Sequence, residues 1–290
     1  MNDQAASLRK KLRLSQNPRE AKTLAFISGK GGVGKSNIAL NFSLELIENG
    51  QEVLLVDLDI GMGNIDILLG LNSKKTILDM LNERLSVYDI IESGPKNLAY
   101  ISGGSGLSDF FSMNTDRKEY FISQYKELVQ IYDYIIFDMG AGVTEDSLFF
   151  ILASDECIVI TTPEPTAMTD AYGMIKLVVA NEPAIPVSVI MNRCSTQREG
   201  EKSLERFKNV ISQFLHIKIQ MLGIVPEDKL IINAVRRQIP FLLLNEKSAA
   251  GRAIKQLTVR YLKKSKESSI SESTSFIQKL KQFIIWCDKK

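Results

Sequence analysis

The chain has 290 residues, 44% hydrophobic and 24% charged, with a net charge of +2. That is enough apolar material for one substantial core, and too little charge to imply nucleic-acid binding by itself. The lone His216 excludes a histidine-rich metal site and most histidine-based triads, and Cys157, Cys194 and Cys287 lack metal-ligand spacing and read as reduced thiols.

Residues 1–20 are polar and basic, without an apolar signal core. Composition favours a disordered tail, although Asp3 could cap a short helix carrying Ala5, Leu8 and Leu12 on one face. No apolar run in the chain reaches the roughly 18 residues of a membrane span, so a cytoplasmic protein is expected.

Leu24-Ala25-Phe26-Ile27 reads as a buried strand, and Asn37 to Ile47 is apolar at helical spacing. Between them lies Ser28-Gly29-Lys30-Gly31-Gly32-Val33-Gly34-Lys35-Ser36, a G-x-x-x-x-G-K-[ST] loop in the strand–loop–helix context of a phosphate cradle. Glycine backbone N–H groups and the helix N-terminus would face phosphate oxygens. Lys35 supplies a cation to the terminal phosphates and Ser36 a hydroxyl to Mg²⁺. Lys30 is a second lysine that such a loop does not need.

Glu52 to Asp57 is the next buried strand, ending in Asp57-Leu58-Asp59-Ile60-Gly61-Met62-Gly63-Asn64-Ile65-Asp66. Residues two apart at a strand end point the same way, so Asp57 and Asp59 should face the phosphates held by Lys35. Thr76 to Leu85 is predicted helical, Leu98 to Ile101 a strand, and Ser102 to Gly106 a glycine loop near the nucleotide. A longer amphipathic helix follows over Thr115 to Ile131. Tyr134 to Asp138 is a strand capped by an aspartate, the Walker B pattern, followed by Met139-Gly140-Ala141-Gly142. Strands are predicted at Glu156 to Thr161, Val187 to Met191 and Met221 to Val225, with a helix around Ala171 to Val179. The last two end in Asn192-Arg193 and Pro226-Glu227. Seven or eight strands alternating with helices give an α/β fold: a mostly parallel sheet with helices on both faces.

After Leu262, Lys263 to Ser269 opens a polar linker. Apolar periodicity then restarts: Phe276, Ile277, Leu280, Phe283, Ile284 and Cys287 share one helix face, with Trp286 near its edge and Lys279 and Lys281 flanking it. A helix of that length is too short to span a bilayer. It suits the interface of an anionic membrane better, with docking on the domain's own core as the alternative.

The loop K-G-G-x-G-K-[ST], with Lys30 at its first position, resembles the deviant Walker A ATPases of the MinD/ParA group. There the extra lysine reaches the partner subunit's ATP in a nucleotide-sandwich dimer. D-x-D-x-G-x-x-N-x-D is similar to the switch I region of MinD-type ATPases, which implies Mg²⁺ support from Asp57 and water orientation by Asp59, with Asp138 as a further Mg²⁺ partner. The resemblance gives Asn192, Arg193, Pro226 and Glu227 to the adenine, and Gly29 to Asn37 to the phosphates of ATP or ADP. It assigns Asp59, Lys35 and Lys30 to a slow, switch-like hydrolysis.

Asp3-Gln4-Ala5-Ala6-Ser7-Leu8-Arg9 matches the D-Q-A-x-x-L-R signature of the FlhG family (also YlxH or FleN), whose N-terminal segment activates the FlhF GTPase in flagellar placement. Ser36-Asn37 also departs from MinD, which usually has a second Thr or Ser there. The resemblance divides the chain into a partner-activating segment (1–20), a MinD-like ATPase domain (21–262), a linker (263–274) and a membrane-targeting helix (275–290). It implies an ATP-bound homodimer, FlhF and flagellar switch-complex proteins as partners, ATP-dependent association with the inner face of the cell membrane, and no specific nucleic acid. MinD proper remains the alternative. A ParA-type ATPase binding DNA through Arg236-Arg237 or Arg252, Lys255 and Arg260 is a weaker one, those residues reading first as solvated helix faces.

Overall fold

The computed structural model describes residues 20–60, 62–104, 114–182, 184–267 and 276–280. The buried apolar runs form one eight-stranded sheet: β1 (Lys22–Ser28), β2 (Val53–Leu58), β3 (Glu92–Ser93), β4 (Ala99–Ile101), β5 (Tyr134–Ala141), β6 (Glu156–Thr161), β7 (Val187–Cys194) and β8 (Gln220–Pro226). The order is β3-β4-β2-β5-β1-β6-β7-β8; the β3–β4 pair is antiparallel and the others parallel. Strands covered on both faces by helices lose the alternation of a half-solvated sheet, and β2 and β6 are buried at every residue.

The helices are α1 (Lys35–Glu48), α2 (Ile65–Leu69), α3 (Ile77–Glu83), α4 (Thr115–Leu128), α5 (Glu145–Ala153), α6 (Pro165–Asn181), α7 (Gln197–Leu215), α8 (Lys229–Arg237), α9 (Phe241–Leu244) and α10 (Ala249–Glu267). On one face of the sheet, Phe42 of α1 stands between Phe26 of β1 and Tyr261 of α10, with centroids 5.5 and 5.4 Å away. On the other, Phe121 of α4, Phe137 of β5 and Phe150 of α5 form an aromatic cluster.

The predicted strands are present, and β5 and β7 run further than the sequence reading placed them. Gly140 and Ala141 continue β5 past Asp138, and β7 runs through the Asn192-Arg193 pair to Cys194. The two-residue β3 is too short to leave a periodic signal. The chain's path puts β1 between β5 and β6, so its carboxyl end opens into the crevice where an open α/β sheet takes ligands.

At the C-terminus the linker starts later than expected, and the segment beyond it takes the alternative seat, on the domain's own core. α10 continues to Glu267, and Lys264 reaches buried Glu156 at 3.3 Å, so the expected linker begins as the end of a packed helix. Phe276 and Leu280, expected on a detached membrane face, are 2% and 0% exposed. Phe276 lies 4.4 Å from Tyr125 and 5.5 Å from Phe137, centroid to centroid, and the half-buried Ile277 packs on the same core. Lys279 Nζ donates to the Ser154 carbonyl at 3.3 Å. The periodicity was that of an amphipathic helix, and a protein core satisfies such a face as well as lipid does. Phe283, Ile284 and Trp286 lie outside the described residues, as do Asp3, Gln4, Ala5, Leu8 and Arg9.

Candidate nucleotide site

The loop after β1 needs its glycines. Gly32 and Gly34 have φ of +79° and +91°, where a side chain is strained. Gly29 has no room for one, since a Cβ would sit 2.3 Å from the backbone carbon of Asp170 in α6. Gly34 caps α1, whose first turn carries no acidic residue and no side-chain cap, so its N–H groups stay free for an anion. Val33 is buried, while Gly31, Gly32 and Lys30 face solvent.

Lys35 Nζ donates to Asp138 Oδ1 at 2.5 Å, both side chains being almost fully buried, and stands 3.5 Å from the Ser36 hydroxyl. Asp138 is the register partner of Asp57 on the adjacent strand, so two carboxylates 0% exposed lie side by side. Burial, and then the charge of Asp138, push the Asp57 carboxyl up to about 7. Three backbone N–H groups, of Asp59 (3.0 Å), Asn64 (2.7 Å) and Ile65 (3.1 Å), donate to Asp57 and fold the switch loop around it. Gly103 and Gly104 complete that packing. A Cβ on Gly103 would lie 2.9 Å from the Asp57 carbonyl oxygen, and the Gly104 carbonyl accepts from Gly63 N–H at 3.1 Å. The glycine loop therefore supports the switch rather than forming a second cradle.

Asp59 is half-buried beside Gly140, where a Cβ would meet its Oδ1 at 3.1 Å. Burial raises its carboxyl, opposed by Lys35 and reinforced by Asp138. Lys30 turns away from this cluster. Its Nζ is 3.3 Å from Thr166 Oγ1 and 3.7 Å from Glu164 Oε2, at the start of α6.

Asn192 is buried and spends its Nδ2 on the Val33 carbonyl at 2.7 Å, buttressing the phosphate loop, while its enclosed Oδ1 has no partner. Sequence reasoning missed that buttress, for which a lone asparagine at a strand end gives no signal. Arg193 is exposed in the left-handed region at φ 55°. Glu227, beside half-buried Pro226, donates its backbone N–H to the Cys194 carbonyl at 2.8 Å, tying the two strand ends together.

The ParA family model, described as NUBPL iron-transfer P-loop NTPase, matches residues 20–261. The chain belongs to the MinD/ParA family of P-loop ATPases, in its FlhG branch. The antiactivator FleN of Pseudomonas aeruginosa is 30% identical over 215 residues, covering 74% of this chain and 77% of that one. The flagellum site-determining protein YlxH of Helicobacter pylori is 33% identical over 258 residues, covering 82% and 83%. The septum site-determining protein MinD of Pyrococcus horikoshii, complexed with Mg-ADP, superposes with a TM-score of 0.69 at 23% identity over 87% of this chain and 100% of that one. Iron is not suited by the described cysteines of this MinD/ParA chain: Cys157 and Cys194 are buried in β6 and β7, and burial pushes both thiols up.

Membership makes this a nucleotide site, and its donor set fits Mg²⁺. Asp138 Oδ2 is a buried carboxylate oxygen with no partner, and Ser36 and Asp57 add hard oxygens nearby. Among the described residues no cluster of three His, Cys, Asp or Glu could hold a metal alone. When bound, Mg²⁺ would neutralise developing phosphate charge, held through Ser36 with Asp57 and Asp138 behind it.

Proposed function

We propose that this chain is a slow, switch-like ATPase of the FlhG type, setting flagellar number and location through ATP-dependent dimerisation, membrane binding and stimulation of the FlhF GTPase. The observation that carries the reading is likeness over most of the chain to two proteins whose names concern flagella, FleN and YlxH, combined with the Asp3-Gln4-Ala5 to Leu8-Arg9 signature. In hydrolysis Asp59 orients the attacking water, while Lys35 and Lys30 stabilise charge on the transferred group. Lys30 acts on the other protomer's nucleotide, a role supported by its distance from its own carboxylate cluster. Asn192 and Arg193, with Pro226 and Glu227, line the adenine side, where the unpartnered Oδ1 of Asn192 offers an acceptor to an amino group.

A peptide of residues 1–19 should raise the GTPase rate of FlhF, and Gln4→Ala should remove the effect. A peptide without activity, or one indifferent to that change, refutes the FlhF assignment.

The docked start of the C-terminal helix supports a membrane switch with two seats. Burying Phe276 and Leu280 is worth about 1.5–3 kcal/mol each, and a bilayer offers a comparable return. The preference is then set by whatever alters the inner seat. Phe276 packs on Phe137, the residue before Asp138, which gives the nucleotide site a short physical route to it. Two helices released in one ATP dimer would bind lipid far more tightly than one, through effective concentration. In co-sedimentation with anionic liposomes the protein should pellet with ATP much more than with ADP, and not at all after truncation at Ser273. Equal pelleting, or pelleting of the truncated chain, excludes the switch.

A further inference from the structure

Five exposed large aliphatic side chains lie on two segments, around α2 and α8, that approach each other at Gly70 and Gln238 beside the switch loop. Ile232 is 55% exposed, Ile67 48%, Leu71 42%, and Val235 and Ile239 39% each. On α8 the side turned inward is that of Ala234, with Leu230 and Ile231 half-covered. At 100° per residue, Ile232 and Val235 fall on a side of α8 turned away from Ala234, and Ile239 follows beyond the left-handed cap at Gln238. Gln238 abuts Gly70: a Cβ added there would lie 3.1 Å from Gln238 Cβ. Leu71 follows Gly70 directly, and Ile67 lies one turn earlier on α2. Scattered exposed aliphatics are ordinary, whereas a group brought together in this way marks a contact surface.

Charge identifies what covers it. Arg236 flanks that side of α8 beside Ile232, and Arg237 follows it. Both are exposed, and neither forms an ion pair among the described residues. Self-pairing would gather four arginines, two from each copy, in one interface with no acidic partner on this face's α8 helix. The chain's own ends fit no better, because residues 8–13 carry Arg9, Lys10, Lys11 and Arg13, and residues 279–290 carry Lys279, Lys281, Lys289 and Lys290. We propose that this α2–α8 face is a docking surface for an amphipathic helical segment of another protein, apolar on one side and acidic at its margin. Its occupancy would be felt at the nucleotide, since the N–H of Ile65, first residue of α2, donates to Asp57. The surface stands independently of the FlhF and membrane assignments.

The test uses the full chain and a fluorescein-labelled 18-residue helical peptide, leucine on one face and glutamate on the other, beside a twin with lysine for each glutamate. Fluorescence anisotropy should show the glutamate peptide binding at least tenfold tighter than the lysine twin. Ile232→Asp or Val235→Asp should cost tenfold or more, with ADP binding retained as the check on folding. Arg236→Glu with Arg237→Glu should reverse the peptide preference. Equal binding of both peptides, or binding indifferent to Ile232→Asp and Val235→Asp, overturns the proposal. So does displacement of the peptide by a short DNA duplex, which would make this a nucleic-acid face. Loss of nucleotide-free self-association in Val235→Asp overturns it as well, by making the occupant a second copy.

Discussion

Lys35→Ala should destabilise the nucleotide-free protein by about 3 kcal/mol or more and weaken nucleotide binding roughly 30- to 150-fold. The first effect follows from the pair it breaks. Lys35 Nζ and Asp138 Oδ1 are 2.5 Å apart with side chains 6% and 0% exposed. Removing the cation strands a buried carboxylate next to a second one, Asp57, whose proton affinity the same crowding already raises. The second effect follows from the proposed role of Lys35 as the cation of its own protomer's phosphate loop. The two separate in the double variant Lys35→Ala/Asp138→Asn, which should regain most of the stability and none of the affinity. Denaturant titration and binding of a fluorescent ADP analogue measure the two quantities. A single variant within 1 kcal/mol of the parent would show that Lys35 does not neutralise the carboxylates.

This pairing also marks where the sequence stopped being informative. Lys35, Ser36, Asp57 and Asp138 were legible because each lies at a fixed offset from a strand end or within a spaced motif. That Asp57 and Asp138 are register neighbours was not, since it depends on β5 inserting between β1 and β2. Local patterns give each strand and its polarity but leave strand order to packing. Asn192 shows a second limit. Its place at a strand end could be read, but one amide group has both a donor and an acceptor, and only tertiary contacts reveal that the donor goes to Val33 of the phosphate loop. At the C-terminus, the periodicity that defines an apolar helix face says nothing about what covers it: the same pattern suits lipid, while Phe276 packs on Tyr125 and Leu280 is buried in the core of the domain.

Lys30→Ala should have the opposite profile to Lys35→Ala, though the two lysines share a loop. Lys30 is 44% exposed, and its partners are the Thr166 hydroxyl and an exposed carboxylate, Glu164, at 3.7 Å. Such a surface pair contributes about 0–1 kcal/mol, so folding should be nearly unchanged and ADP affinity within about threefold of the parent. In the proposed dimer, however, this ammonium is the group that crosses to the other protomer's phosphates. A charge supplied in trans to a phosphoryl group carries on the order of 10³–10⁵ in rate in other P-loop enzymes. ATP turnover should therefore fall by at least about 100-fold, and dimers formed with a non-hydrolysable ATP analogue should disappear in sedimentation velocity. Glu164→Gln sharpens the assignment: it frees Lys30 from its own α6, so it should leave monomer stability alone and preserve or strengthen the dimer. Dimers that persist in Lys30→Ala would return Lys30 to the role of a solvated loop lysine and leave ATP-dependent association without its contact.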